Sequence, residues 1–171
     1  MANTLKERIL AKLADDPSKL YSIKDLAKTL NSAYSHTHLF VQQLAKDRIV
    51  TIQKVGNVSI VKLNPAEPRT LASLALISYQ KTAEWQQKDA RAQKIMERLL
   101  VVSDNIHCAL IKSNKIILVV PENVGGVDFG IFQNRSVINA AEFVKNKTYY
   151  QDCVVLHGAE KYWEILLGST Q

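Results

Sequence analysis

The chain has 171 residues, 47% hydrophobic and 22% charged, which suffices for one or two small globular domains and is too apolar for a disordered chain. Its longest apolar runs, such as Ile116 to Val120, are far shorter than the roughly 20 residues that span a bilayer; with charges early in MANTLKERIL and two cysteines, Cys108 and Cys153, this predicts a cytoplasmic chain with no membrane partner and no disulfide framework. The net charge of +6 points to an acidic partner, and its excess lies early, residues 1–68 having 10 Lys and Arg against 6 Asp and Glu, and residues 69–171 having 12 against 10.

Thr4 is placed to cap a first helix with Leu5, Ile9, Leu10 and Leu13 on its inner side, stopped by Asp15, Asp16 and Pro17. Ser22 followed three residues later by Asp25 is a capping-box signal. It opens a second helix whose Ile23, Leu26, Ala27 and Leu30 recur at i, i+3, i+4 and i+7, and Asn31 ends it. A third helix, beginning near Ala33, has Thr37, Phe40, Val41 and Leu44 on its buried stripe and leaves Ser35, His36, His38, Leu39, Gln42, Gln43 and Lys46 off it. From Ile49 the spacing changes to β-branched residues in two runs joined by Gly56-Asn57, a dipeptide suited to a two-residue hairpin. Three helices followed by a hairpin is the order of a winged helix, predicted here over residues 1–64.

Such a module predicts binding to double-stranded DNA, with the third helix in the major groove and the hairpin on the neighbouring backbone. The candidate DNA-binding residues are Tyr34, Ser35, His36, His38, Gln42, Gln43 and Lys46 on the helix, and Lys54, Asn57 and Lys62 on the hairpin. Gln42 and Gln43 have the donor–acceptor pairs that read adenine edges; Ser35, His36 and His38 suit bases or phosphates, and the lysines neutralise phosphates. The helix face has no Arg, so A·T-rich sites or modest specificity are expected. The alternatives are a protein-interaction adaptor on the same fold, and RNA binding. His36 and His38, two apart on a helix, do not share a face, and no metal site is expected from them.

The run from Tyr34-Ser35-His36-Thr37 through Leu44-Ala45-Lys46-Asp47-Arg48-Ile49-Val50 to Gly56-Asn57 and Leu63-Asn64-Pro65 resembles archaeal winged-helix transcription regulators. The resemblance covers about the first 65 residues and implies DNA binding and transcription regulation. Arg48 stands where that family usually has Gly, so a left-handed turn there would strain this chain more.

Pro65, Glu67 and Pro68 mark a boundary, and Thr70 to Val102 has neither Gly nor Pro, which reads as one long helix or two consecutive ones within a connector of residues 65–104. Its ends are apolar and its middle polar, so no long zipper is expected. A homodimer through this connector is one expected assembly, with Trp85 either its anchor or packed within its own chain. Residues 105–171 read as a small α+β domain with a mostly antiparallel sheet. Strands are predicted at Ile106–Ile111, Ile116–Val120, Val127–Phe132 and Cys153–Leu156, and helices at Ser136–Val144 and Ala159–Leu167. The Ser136–Val144 helix would turn Val137, Ile138, Ala141 and Val144 inward.

Ala109-Leu110-Ile111-Lys112-Ser113 and the segment from Val154 through His157-Gly158-Ala159-Glu160 to Leu166 resemble minimal nucleotidyltransferase domains. That family holds phosphate with Gly-Ser after its first strand and metals with Asp-x-Asp on the next. Here Lys112 replaces the Gly, and no carboxylate lies between Asp104 and Glu122, so the metal-assisted reaction lacks its hard ligands. Asp128 is the one candidate for a third carboxylate, and it lies beside a Gly-Gly turn. His107 and Cys108, adjacent on a strand, point to opposite faces and cannot easily join Cys153 and His157 around zinc. No catalytic set, cofactor or metal is therefore expected. The domain is expected to be a catalytically dead partner or ligand module, the alternative being residual nucleotide binding.

Overall fold

The computed structural model describes residues 4–17, 19–124, 127–130, 132 and 134–168. The chain is mixed α and β, with a three-stranded antiparallel sheet and a four-stranded mixed sheet. It divides into two compact units, Met1–Leu74 and Ala75–Gln171.

In the first unit, α1 (Leu5–Asp15), α2 (Ile23–Thr29) and α3 (Tyr34–Lys46) precede β2 (Val50–Val55) and β3 (Val58–Leu63), and a two-residue strand β1 (Tyr21–Ser22) leads into α2. Both expected helix starts are capping boxes. Thr4 Oγ1 accepts from Glu7 N while Glu7 Oε2 accepts from Thr4 N, and Ser22 and Asp25 exchange the same pair of bonds. Helices α2 and α3 also end alike. Ser32 N donates to Ala27 O and Asn31 N to Lys28 O, while Ile49 N donates to Leu44 O and Arg48 N to Ala45 O. This is the Schellman pattern, which needs a left-handed residue just past the helix; Asn31 takes φ 48° and Arg48 φ 61°. The strain expected at Arg48 is present.

Ile9, Leu13, Leu26, Val41, Leu44, Val50 and Val61 form the core of this unit. The strands pair in the order β1-β3-β2, with Val61 opposite both Tyr21 and Ile52 and with Val55 opposite Val58. Gly56 turns the hairpin at φ +58°. β1 was not expected, since two residues give no periodicity to read.

The second unit contains most of α4 (Pro68–Lys88), then α5 (Ala92–Val102), β4 (Cys108–Lys112), β5 (Lys115–Val120), β6 (Arg135–Asn139), α6 (Ala140–Lys145), α7 (Lys147–Tyr150), β7 (Val154–His157) and α8 (Ala159–Leu167). Its sheet runs β6-β5-β4-β7, with β4 antiparallel to both neighbours and β6 parallel to β5. Ala109, Ile111, Ile116, Leu118 and Val120 pack with Ile95, Leu99 and Val102 of α5, while α8 covers β4 and β7, and α6 meets β5. With helices on both faces, β4 and β5 read as unbroken apolar runs.

Although Thr70 to Val102 has no Gly or Pro, the helix breaks between Lys88 and Ala92. Asp89 Oδ1 accepts from Arg91 N at 2.9 Å, and its carboxylate takes Arg91 Nε and Nη2 at 3.0 and 2.6 Å. A side chain that bonds the amide two residues on competes with the helical bond and closes a turn. Thr82 Oγ1 donates to Val155 O, and Ser78 Oγ accepts from Trp163 Nε1 at 2.9 Å, so α4 and α5 contribute to the second unit's own core instead of forming a separate connector. Trp85 packs partly buried against that core.

Two sequence expectations are corrected. Among the described residues of 127–132 there is no strand, and the fourth strand of the sheet is β6. The helix expected over Ser136–Val144 is in its first part this strand, with Val137 and Ile138 paired to Leu118 and Val119. Asn139 then caps α6 by accepting from Glu142 N at 2.8 Å. Ile138 and Phe143 are buried, whereas Val137, Ala141 and Val144 are exposed.

Candidate nucleic-acid interface

Thr37, Val41 and Leu44 anchor α3, and Thr37 Oγ1 returns a bond to Ala33 O at 3.1 Å. Every expected DNA-binding residue, from Tyr34, Ser35, His36, His38, Gln42, Gln43 and Lys46 to Lys54, Asn57 and Lys62, is exposed. They do not form one surface. At about 100° per residue, Ser35, Leu39, Gln42 and Lys46 make a row opposite the buried stripe, with His38 to one side of it and Gln43 and then His36 on the opposite flank. That flank also has Asp47, whose carboxylate takes Lys6 of α1 at 3.1 Å. On the other flank the rings of Tyr34 and His38 stack at 5.9 Å.

Strand pairing separates the hairpin lysines. Lys54 is opposite Ser59 and shares a face with the buried Val50 and Val61; Lys62 is opposite Thr51 on the other face. Asn57 lies at the tip. A cleft of about 330 Å³ is lined by Ser22, Ile23 and Lys24 at the start of α2, by Tyr34, and by Asn57, Val58 and Ser59. It brings together the Tyr34 flank of α3, the hairpin tip and one cation that the sequence reading missed. Lys24 and Lys28, one turn apart and exposed on α2, were visible as an i,i+4 basic pair.

The first unit has 11 Lys and Arg against 6 Asp and Glu, or +5, and the second 11 against 10, or +1. Near the cleft, Asp25 is occupied by its cap. Bonds from the Ser22 hydroxyl and amide hold its carboxyl below the usual range, and Lys24 and Lys28 act in the same direction. The N-terminus of α3 has no side-chain cap, since its N-cap is Ala33, and no acid lies in its first turn. Its end amides therefore point outward with the positive end of the helix dipole.

Compared with family models, curated proteins and solved structures, the chain has no match.

The residues singled out in the second unit serve local structure. Ser113 and Asn114, at φ 46° and 70°, are the two central residues of the β4–β5 turn. Lys112 Nζ lies 4.4 Å from the centre of the Tyr149 ring and 3.4 Å from Asp152 Oδ2. Asp128 Oδ1 accepts from Gly130 N at 2.8 Å. Burial raises the Cys108 thiol far above its ordinary range and pushes Cys153 up to about 11, so both stay protonated at neutral pH. Burial lowers His107, with Lys161 adding to the effect. Among the described residues no group of three potential ligands gathers for a metal, and no helix is long and apolar enough to cross a membrane.

Proposed function

We propose that the N-terminal unit is a winged helix that binds double-stranded DNA, and that the chain is a transcription regulator whose C-terminal unit is a non-catalytic partner or ligand module. The observation that carries this reading is the outward row Ser35, Gln42 and Lys46, with His38 beside it on the Tyr34 flank, next to a cleft that adds Tyr34, Lys24 and Asn57, in a unit of net charge +5. Gln42 supplies the bidentate amide for an adenine edge, and Lys24, Lys46 and Lys54 supply phosphate contacts. The uncapped amides of α3 suit a further phosphate.

A titration of labelled A·T-rich and mixed duplexes with the full chain, repeated over a salt series, tests the proposal. Three to four neutralised phosphates give a log–log slope of about −3 to −4, at ~0.9 per phosphate. Affinity at background and indifferent to salt ends the proposal. One observation favours the adaptor reading instead. Leu39, in the middle of the row, and Val55 and Val58, at the hairpin tip, are apolar and 53%, 57% and 46% exposed. A flat salt series is what that reading expects. Exposed Leu76 and Tyr79, three residues apart on α4, support a homodimer. Sedimentation of a concentration-independent monomer would remove that part.

A further inference from the structure

We propose that the C-terminal unit joins a second copy of the chain through the open edge of its sheet, the two β6 strands pairing antiparallel. The sheet runs β6-β5-β4-β7, so β6 and β7 are its edges. α4 reaches the β7 edge, where Thr82 Oγ1 donates to Val155 O. Among the described residues nothing bonds the backbone of β6 from its outer side. An edge that presents unpaired amides and carbonyls is a template for another strand.

The pairing of β6 with β5 fixes which groups are open. Ile116 N donates to Asn134 O at 2.9 Å, and Ile116 is the register partner of Arg135. Bonding groups alternate along a strand, so the backbone of Ser136 and Ile138 faces β5 and that of Arg135, Val137 and Asn139 faces away. The five pairs with β5 follow one another without a bulge, and the middle residue, Val137, is apolar and 37% exposed. The devices that blunt an edge, a bulge, a proline or a central charge, are missing from this strand.

A second copy is the occupant that these residues fit. With Val137 on a two-fold axis, Val137 lies opposite itself and Arg135 opposite Asn139, so each outward residue meets an outward residue. Glu142, exposed in the first turn of α6, follows the C-terminal end of the strand. Antiparallel pairing brings each Arg135 to the end that has the other copy's Glu142, whereas parallel pairing sets Arg135 against Arg135. Two such edges bury less than about 1,200 Å², the range of weak and reversible association. The contact is separate from the one proposed at Leu76 and Tyr79 of α4, and it does not depend on DNA binding.

Sedimentation of the full chain should show reversible dimerisation, with a dissociation constant of about 10–100 µM, that persists in Leu76→Ser. Val137→Lys, at an exposed position, should weaken it at least about tenfold by placing like charges together. Val137→Pro removes a donor that β5 does not use, so it should abolish the dimer while circular dichroism keeps the signal of the folded chain. With oxidised glutathione, Val137→Cys should give a disulfide-linked dimer, because a hydrogen-bonded pair sets its Cα atoms about 5.5 Å apart, within disulfide range. Cys108 and Cys153 are buried and do not compete. Arg135→Cys, roughly 13 Å from its counterpart in this register, should not cross-link. A chain that is monomeric at about 200 µM, association indifferent to Val137→Lys, or a disulfide at Arg135→Cys and none at Val137→Cys overturns the proposal.

Discussion

Gln42 lies in the row with Ser35 and Lys46, on the side of α3 nearer Tyr34 and the cleft, whereas Gln43 lies on the side of the Lys6–Asp47 pair, so the proposal gives the base contact to Gln42. Gln42→Ala should therefore weaken the tightest duplex selected from a random pool by about tenfold, within the ~1–3 kcal/mol of one bidentate base contact, with a smaller effect on bulk duplex. Gln43→Ala should cost less than about threefold, and equal losses in a titration of both variants would contradict the assignment. Arg48 is a second case in which position decides. Its φ of 61° is imposed by the Schellman bonds of α3, and left-handed backbone costs a non-glycine residue roughly 1–2 kcal/mol. Arg48→Gly should raise stability by about 1 kcal/mol in urea unfolding, part of the relief being offset by the freer unfolded chain. The left-handed turn whose strain the sequence analysis anticipated at Arg48 is what the dihedral shows.

At the scale of elements, α2 and α3 start differently. Ser22 and Asp25 cap α2, while Ala33, in extended backbone at φ −62°, ψ 140°, leaves α3 uncapped. Ala33→Ser should add about 1 kcal/mol of stability, read from the urea midpoint. Ala33→Asp should also stabilise the fold yet lower duplex affinity severalfold, because it sets a negative charge where the proposal seats a phosphate. Stability and affinity rising together would count against that seat. Asp89 accounts for the break between α4 and α5. Its bonds from Arg91 depress its carboxyl from 3.8 to about 2, so its contribution is complete above pH 3.8 and is lost as the pH falls through 2. Asp89→Asn should flatten the acid limb of unfolding between those two values, and an unchanged limb would show that the pair does not stabilise the fold. The misreading of residues 136–144 has an element-scale cause as well. Val137-Ile138 fits helix and strand equally by spacing, and Asn139 three residues before Glu142 was the local signal that the helix starts later.

For the whole molecule, the net charge of +6 is unevenly divided, +5 in the first unit and +1 in the second. If binding depends on where the charge is, equal changes in total charge should have unequal effects. Lys24→Glu with Lys54→Glu should lower duplex affinity by about two orders of magnitude at moderate salt, whereas Lys145→Glu with Lys147→Glu, at exposed positions of the second unit, should change it less than about threefold. Equal losses would mean that net charge alone drives association.

By itself the sequence determined the cap of α1 at Thr4, the capping box of α2, the buried stripe of α2 and that of α3 apart from the half-buried Phe40, the two-residue hairpin at Gly56-Asn57 and the closing helix Ala159–Leu167. All of these depend on residues two to four apart, whose geometry the backbone repeats dictate. Tertiary structure alone decided that β6 joins β5 in parallel and that Lys24 meets Tyr34 and Asn57 around one cleft. Each of these depends on residues distant in the chain, whose meeting is set by the packing of whole elements and leaves no local pattern to read.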